Sequence, residues 1–312
     1  MEAASERAGK RPSPILMGLV LVFGPIALLV AVYGTTGSSV LASGLALSFS
    51  PALQIAAERR WPARALPART ARQVGIEAFQ GLVYGTLFGF GTAFGLWWLV
   101  LELRQAFGIG FTLAGDPWIP AIALVVLADF FDYFRHRHEH ESNGLMWRVH
   151  SVHHSIRHFS LLTGLALHPL EAVFTYVSYG LVAGMLGASF DAMLLGLTLA
   201  LLVMGAQHTN TATSLGILSR ILAHADGHRW HHDIALGAGR NVNYANVLSL
   251  WDQLWGSFHS PRDFDGEYGI EPFRETYPGD LVGQARMAMA GYYAETEARS
   301  RRPRAQEGKR ST

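Results

Sequence analysis

Clustered histidines are the residues of this sequence best suited to chemistry. Thirteen of the fourteen lie between His136 and His232. Residues three and four positions apart share one face of a helix, so their imidazoles can converge on one metal ion. Three stretches have this spacing, namely His136-Arg-His-Glu-His140, His150-Ser-Val-His153-His154 and His228-Arg-Trp-His231-His232. The pattern therefore predicts that these histidines bind metal.

The number of histidines predicts two ions, because eight or more imidazoles exceed what one ion accepts. Without metal, so many neighbouring imidazoles would be partly protonated and would repel one another. Imidazole suits iron, zinc, copper and nickel alike. Four further histidines fit the helical spacing less well and are expected not to be ligands: His138, His158, His224 and His259.

Several other kinds of site are excluded by the sequence. The chain has no cysteine, so disulfides, thiolate metal sites, iron–sulfur clusters and cysteine nucleophiles are ruled out. It contains neither H-E-x-x-H nor E-x-x-H, which argues against a zincin-type protease and a carboxylate-bridged di-iron bundle. A formal net charge of +1 does not indicate nucleic acid as a partner. Any metal must therefore be held by nitrogen or oxygen.

The elements that position these histidines are predicted to be membrane spans. Half of the residues are apolar and only 16% are charged, and residues 12–57 carry no charge at all. A hydrocarbon core is crossed by about 20 apolar residues. Six candidate spans follow from the apolar runs, of which the fourth has Asp129 near its end: 15–33, 39–57, 78–101, 117–131, 172–190 and 192–207. The last two could instead form a re-entrant hairpin.

The distribution of basic residues predicts the orientation. Basic residues mark the cytoplasmic side, and they crowd the N-terminal segment and the loop 58–73. We therefore expect both termini, and with them every histidine cluster, on the cytoplasmic face. Residues 296–312 are rich in arginine and lysine and poor in apolar residues, which is typical of a disordered basic tail.

The ordered motifs resemble the fatty acid hydroxylase/sterol desaturase superfamily of integral membrane non-haem di-iron oxygenases. The likeness covers about residues 117–260. The residues that carry it are Asp129 and Tyr133 before the first histidine motif, Trp147 before the second, His168-Pro-Leu-Glu171, His208-Thr-Asn210, the third histidine motif, and Asn243-Tyr244 through Trp251-Asp252 to Gly256. Ala212 departs from the pattern, since some hydroxylases carry a further histidine there.

This resemblance implies an all-α fold: a polytopic membrane helix bundle of four to six spans with a helical cytoplasmic cap that carries a His-rich dimetal site. The implied domains are 1–116 with three spans and a basic loop, 117–260 as the catalytic domain, and 261–312 as the C-terminal segment and tail. The implied catalytic ligands are His136, His140, His150, His153, His154, His208, His228, His231 and His232, with His168 as a further metal ligand or a supporting group. Around them, the implied supporting residues are Asp129, Asp132, Tyr133, Asn210 and Asp252, of which the first two would accept a proton from a ligand imidazole and fix its tautomer.

The implied activity is oxidation of a lipid. Two iron ions, or zinc in the purified protein, would be bound, and O2 would be the co-substrate. A ferredoxin- or cytochrome b5-like protein would supply electrons, because this sequence has no dinucleotide fingerprint. The product would be a hydroxylated, or else desaturated, fatty acyl chain or sterol, with hydroxylation as the simpler outcome.

Two other functions remain open on the residues alone. A metal-handling membrane protein would need polar residues within its spans to pass the ion, and the spans contain very few. A membrane zinc hydrolase would need an open zinc position and a general base, for which Glu139, Glu141 and Glu171 are available. Both leave the number and order of the histidines unexplained.

Overall fold

Helices make up most of the protein in the computed structural model. The structure describes residues 12–66, 69–142, 144–234, 242–261, 264–270, 274, 276 and 278–289. Within these ranges there is no strand beyond two isolated β-bridges. The all-α prediction is therefore confirmed. The basic residues before position 12 and the predicted basic tail 296–312 lie outside the described residues.

The first two helices form an antiparallel pair. Helix α1 covers Pro14–Thr36 and α2 covers Ser39–Arg60. The Ser13 side chain accepts a hydrogen bond from the Leu16 amide at the start of α1, and Gly37 ends it in the left-handed conformation. The reversal thus falls within the uncharged stretch where the sequence predicts a loop.

The third predicted span is one long helix with a π-helical centre. Helix α3 covers Ala71–Phe79, the π-helical segment Gln80–Phe90, and α4 Gly91–Ala106. Helix α4 packs closely on α7 (Pro169–Leu186) at Gly180 and Gly184, where an added Cβ would meet α4 atoms at 2.5 Å. Small residues of this kind let membrane helices approach one another.

Helix α5 lies at the centre of the bundle and links the apolar core to the histidines. It covers Trp118–Glu141, so it continues beyond the predicted span 117–131. Its first half packs against α7 and against α8 (Phe190–Gly205) through buried Leu124 and Ala128. Its second half leaves this core and carries the first histidine motif.

Short helices and turns complete the cap around the histidines. They are α6 (Leu145–His154), α9 (Ala225–His231), α10 (Leu250–Leu254) and α11 (Leu281–Met289), with 3-10 turns at Thr163–Leu165 and Gly216–Arg220.

Four described helices are long and apolar enough to cross a membrane: Pro14–Thr36, Ser39–Arg60, Ala71–Ala106 and Pro169–Leu186. Helix α8 is apolar but shorter. Large apolar side chains on the outside support a lipid environment, since Leu82, Leu87 and Trp98 are 71%, 68% and 61% exposed. Together these features support an integral membrane protein.

Candidate metal centre

Nine histidines from distant parts of the chain form two buried groups. Within each group, one ring nitrogen per residue lies within 4.8 Å of the others. The first group, called group 1 below, contains His136, His140, His150, His154 and His231. The second, group 2, contains His153, His208, His228 and His232. All nine residues of the predicted catalytic set are thus brought together, in the two groups that two ions would need.

Helical periodicity explains how two motifs serve both groups. In α6, His150 and His154 are one turn apart and belong to group 1, whereas His153 between them faces group 2. The motif at α9 reverses this division, because His228 and His232 belong to group 2 and His231 to group 1. Each H-x-x-H-H motif therefore lies between the groups and contributes to both.

Backbone carbonyls fix the tautomers of several rings. The Nδ1 atom of His136 lies 2.6 Å from the Tyr244 carbonyl oxygen, and that of His231 lies 2.8 Å from the Val242 carbonyl oxygen. A carbonyl oxygen only accepts, so both Nδ1 atoms carry the proton. The Nε2 atoms therefore present lone pairs to the interior of group 1. Among the described residues, the buried His231 Nε2 has no hydrogen-bond partner.

His150 shows that the interior of group 1 is suited to a cation. Its Nδ1 lies 3.1 Å from a Glu171 carboxylate oxygen and donates to it, so its Nε2 carries a lone pair when the ring is neutral. That Nε2 lies 3.1 Å from the His136 Nε2 and 3.0 Å from the His154 Nε2. A single proton satisfies only one of these contacts, whereas a metal ion accepts all the lone pairs.

Carboxylates close to His150 stabilise positive charge in group 1. Burial lowers the pKa of His150, but Glu171 and Glu139 outweigh this effect and raise it. Arg135 lies 2.5 Å from Glu139 and 3.2 Å from Glu171, which fixes both acids in place. This arrangement is the carboxylate–histidine pair that commonly orients metal ligands. The sequence prediction missed this role of Glu171, although the His168-Pro-Leu-Glu171 motif contained the signal.

Burial keeps the other imidazoles outside the apolar spans neutral. It lowers the pKa of His153 and of His231 to about 3. It also holds the pKa values of His208, His228 and His232 well below the usual range. A neutral imidazole is the form that binds metal. The donor set of both groups therefore fits divalent ions that accept nitrogen ligands.

The two aspartates expected to hold ligand imidazoles instead hold the cap. Asp129 accepts hydrogen bonds from the amides of Val247 and Leu248 and from the Trp251 indole, at 2.8, 2.7 and 2.9 Å. Asp132 pairs with Arg135 and accepts from the Asn246 side chain. The partners that orient the rings are backbone carbonyls and Glu171. Both aspartates therefore fasten the 242–252 segment, which supplies two of those carbonyls.

Tyr133 and Asp252 stabilise the same segment. The Tyr133 hydroxyl lies 2.9 Å from the Ser257 hydroxyl, which in turn donates to Asp252. Asp252 also accepts from the amides of Tyr244 and Ala245. These contacts place the Tyr244 carbonyl against His136, so both residues act on the centre through the backbone.

Asn210 and His168 lie at the margin of the centre. The Asn210 side chain donates to the Arg64 carbonyl at 2.8 Å and its amide donates to Glu58, which fixes the loop that carries His208. His168 belongs to neither histidine group. Its Nδ1 accepts from the Leu170 amide at 3.2 Å and caps the start of α7. This placement does not support His168 as a metal ligand.

The four histidines that sequence spacing set aside also lie outside both groups. His138 is on the exposed face of α5, and the His224 ring contacts the Thr213 hydroxyl at 2.6 Å. His158 is half-buried, and burial together with Arg69 lowers its pKa to about 4. The His259 amide donates to the Asn243 side chain.

An apolar cavity of about 390 Å³ adjoins the histidines. It lies among α2, the π-helical segment, α7 and α8, and its apolar lining includes Leu47, Phe90, Leu165, Tyr176 and Leu202. Arg135 and Glu171 also line it, as do histidines from both groups: His136, His150, His153, His208 and His228. A molecule in this cavity would therefore contact apolar side chains and both candidate metal positions.

Comparisons with known proteins agree with this geometry. The fatty acid hydroxylase family model matches residues 121–257. An ornithine lipid hydroxylase of Rhizobium tropici is 34% identical over 150 residues, which are 47% of this chain and 44% of that protein. The alkylglycerol monooxygenase of Homo sapiens is 34% identical over 159 residues, which are 49% of this chain and 34% of that protein. The matched regions thus span less than half of either relative.

A more distant relative extends the matched region. The alkylglycerol monooxygenase of Caenorhabditis elegans is 27% identical over 197 residues, which are 58% of this chain and 33% of that protein. No solved structure matches the chain. The family match confirms the resemblance that the histidine motifs indicate.

Proposed function

Since the fatty acid hydroxylase family model matches residues 121–257, we propose that this protein is a membrane-bound di-iron oxygenase of lipids. It uses O2 and external electrons to hydroxylate, or else desaturate, an unactivated C–H bond of a lipid such as a fatty acyl chain or sterol. For hydroxylation, the lipid, O2, two electrons and two protons give the alcohol and one water. The observation that carries the proposal is the contact between an apolar cavity and both histidine groups.

Group 1 would hold one iron and group 2 the other. Bound there, the iron pair supplies O2 activation and removal of hydrogen from carbon. The protein orients the rings through the carbonyls of Tyr244 and Val242 and through Glu171. Glu139 and Glu171 partly balance the charge of the ions, which lowers the cost of burying them.

The cavity supplies the substrate position and excludes water. Parts of its apolar wall, including Leu47, Phe90 and Tyr176, belong to helices that are long enough to cross a membrane, so a lipid can reach it without leaving an apolar environment. Five of the nine clustered histidines line it. An alkyl chain held there would lie against the metal-facing rings. This position favours oxidation of the alkyl chain over oxidation of the lipid's polar head group.

The remaining parts of the proposal concern the whole chain. The catalytic domain covers about 117–260, with spans and a basic loop in 1–116 and a C-terminal segment in 261–312. The arginines of the loop 58–73 support a cytoplasmic position for both termini and for the metal centre. Electrons come from an external ferredoxin- or cytochrome b5-like protein.

Metal content in detergent-purified protein tests the proposal. After expression with ample iron, we expect close to two irons per chain in the wild type and a sharp loss in His231→Ala, because His231 lies in group 1. His138→Ala is the matched control, since His138 is exposed and outside both groups. Retained iron with O2-dependent lipid oxidation supports the oxygenase. A single tightly held zinc that iron cannot replace would favour a hydrolase, and no stoichiometric metal would refute the proposal.

A further inference from the structure

Helix α2 carries four buried polar side chains, of which only two are bonded to a neighbouring helix. Ser39 pairs with Asp191, and the Thr198 hydroxyl donates to Ser43 at 2.9 Å. These contacts fasten α2 to α8. The other two, Ser50 and Gln54, line the apolar cavity instead.

Gln54 presents an unsatisfied acceptor in this cavity. Its side chain is buried, and its Nε2 donates to the Ser50 hydroxyl at 3.2 Å. Its Oε1 is buried and has no hydrogen-bond partner within the described part of the chain. Leaving a buried carbonyl oxygen unpaired costs about 1–3 kcal/mol. Polar side chains of this kind within membrane helices commonly mark a substrate path.

A second departure from regular hydrogen bonding lies on the same stretch of α2. Pro51 has no N–H to donate to the carbonyl of Leu47, four residues earlier. Both residues line the cavity. Regular helical hydrogen bonding is therefore interrupted on the side of the cavity that carries Gln54.

The position of Gln54 along α2 places it near the histidines. One turn later, Glu58 accepts hydrogen bonds from the amides of Leu161 and Asn210, both at 2.8 Å. Leu161 lines the cavity, and Asn210 is two residues from His208. This end of α2 is thus fastened to the segments around group 2.

We propose that Gln54 determines substrate specificity by accepting a hydrogen bond from a neutral O–H or N–H group of a long-chain lipid. The alkyl chain of that lipid occupies the apolar remainder of the cavity. The inference rests on the proposed function, because it treats the cavity as the lipid site of the metal centre. It adds the chemical class of the substrate. A lipid alcohol or amide is bound in preference to a lipid ether, which has no hydrogen-bond donor.

An ionised fatty acid is disfavoured with its head group at the Gln54 carbonyl oxygen. Its carboxylate has only acceptors and would face the Gln54 carbonyl oxygen. An exclusively apolar lipid would leave that oxygen unpaired. A neutral donor satisfies it at no cost in buried charge.

Equilibrium binding to the full-length, detergent-purified protein tests the inference independently of turnover. Labelled hexadecanol is the probe, with hexadecanamide and hexadecyl methyl ether as unlabelled competitors. We expect hexadecanol to bind wild type about fivefold to tenfold more tightly than the ether, the range expected for one buried hydrogen bond. The amide competition shows which of the two donor groups is preferred.

Gln54→Met is the informative variant, because methionine keeps the unbranched shape and removes the acceptor. We expect hexadecanol and the ether to bind it with affinities within about twofold of each other. Its thermal stability should not fall, since the substitution removes an unsatisfied polar atom. Gln105→Met is the matched control, because Gln105 is exposed on α4 and does not line the cavity.

The outcomes separate this inference from the proposed function. Equal binding of alcohol and ether by wild type, or unchanged discrimination in Gln54→Met, would overturn the role of Gln54. An equal loss of both lipids together with lost stability would show a merely structural role and overturn it as well. Gln54-dependent discrimination in a protein that binds no stoichiometric metal would uphold the lipid site and refute the oxygenase.

Discussion

The ring of His154 stacks on the ring of His232, with centroids 4.2 Å apart and planes inclined by 17°. His154 belongs to group 1 and His232 to group 2, so the two candidate metal positions share a wall of imidazoles. A second cross-group pair is nearly parallel as well, since His228 and His231 are inclined by 16° at 5.1 Å. A ligand lost from one group therefore removes support from the other.

This shared wall predicts coupled loss of metal. We expect His154→Ala to reduce bound metal from two ions to fewer than one per chain, because His232 loses the ring against which it packs. Elemental analysis of purified protein measures this directly. His138→Ala, at an exposed position of α5, should keep both ions. Retention of one firmly bound ion in His154→Ala would show that the two positions are independent.

The contact between Glu171 and His150 predicts that metal affinity depends on the negative charge of Glu171. The acid accepts the Nδ1 proton of His150 at 3.1 Å and is buried. Glu171→Gln keeps the shape and an accepting oxygen but removes the charge, so we expect metal affinity to fall about 10- to 100-fold. Competition with a chelator measures the change. Glu141→Gln is the matched control, because Glu141 is exposed and pairs with Arg137. Equal affinities in the two variants would contradict the role of Glu171.

The hydrogen bonds of Asp129 predict that its substitution lowers the stability of the folded protein rather than removing a metal ligand directly. Asp129→Asn replaces one accepting oxygen, which receives buried hydrogen bonds from the 242–252 segment, by a donor. We expect about 2–4 kcal/mol of destabilisation, since buried hydrogen bonds to the carboxyl group are lost and donors face each other. Thermal unfolding in detergent measures the effect. The exposed Asp265→Asn should leave the transition unchanged.

Sequence reasoning identified the histidines that the structure brings together, because their spacing is a local property. His150, His153 and His154 are separated by helical steps, so their clustering is visible without the fold. The division of each motif between two groups was not visible, because it depends on how α6 and α9 lie relative to each other. Four of the six predicted spans overlap helices that are long and apolar enough to cross a membrane, for the same local reason.

The ring-orienting partners could not be predicted from side-chain types. Three are the backbone carbonyls of Tyr244, Val242 and Ala166, the last of which accepts from the His153 Nδ1 at 3.3 Å. The carbonyl of Tyr244 reaches His136 across 108 positions of the chain. Asp129 stands close to the first motif in sequence, which suggested a partner for a ligand imidazole, but its carboxylate faces the opposite segment. The sequence did not indicate a role for Gln54, because a single glutamine in an apolar run reveals neither that its side chain is buried nor that its oxygen is unpaired.

Protonation of the buried imidazoles predicts acid instability of the metal-free protein. The pKa values of His153 and His231 fall to about 3 in the folded chain, against about 6.5 when unfolded. Below pH 6.5 the unfolded chain therefore binds more protons, so stability falls as pH falls. At pH 5.5 each such group costs roughly 1.4 kcal/mol.

Thermal unfolding of metal-free protein between pH 8 and pH 5.5 checks this prediction. Bound metal should deepen the dependence, because protons compete for the same nitrogens. Replacement of His153 by glutamine, which does not titrate, should weaken the dependence of the unfolding temperature on pH. A transition temperature that does not change with pH would contradict the buried, neutral state of these rings.

The close approach of α4 and α7 predicts strict size limits at two glycines. A Cβ on Gly180 would lie 2.5 Å from the Ala93 carbonyl oxygen, and one on Gly184 would lie 2.5 Å from the Val100 Cβ. Gly180→Ala must therefore separate the helices, and we expect a loss of about 1–3 kcal/mol from this overpacking. Thermal stability, followed by size-exclusion chromatography after heating, measures the loss.

Gly95→Ala is the matched control for Gly180→Ala, since a methyl group added at Gly95 on α4 would enter open space. Because α7 begins just before Glu171, a displaced α7 also moves the acid that orients His150. Gly180→Ala should therefore weaken metal retention as well, while Gly95→Ala should not. Equal thermal stability of both variants would contradict the prediction, because it would show that α4 and α7 separate without loss of stability.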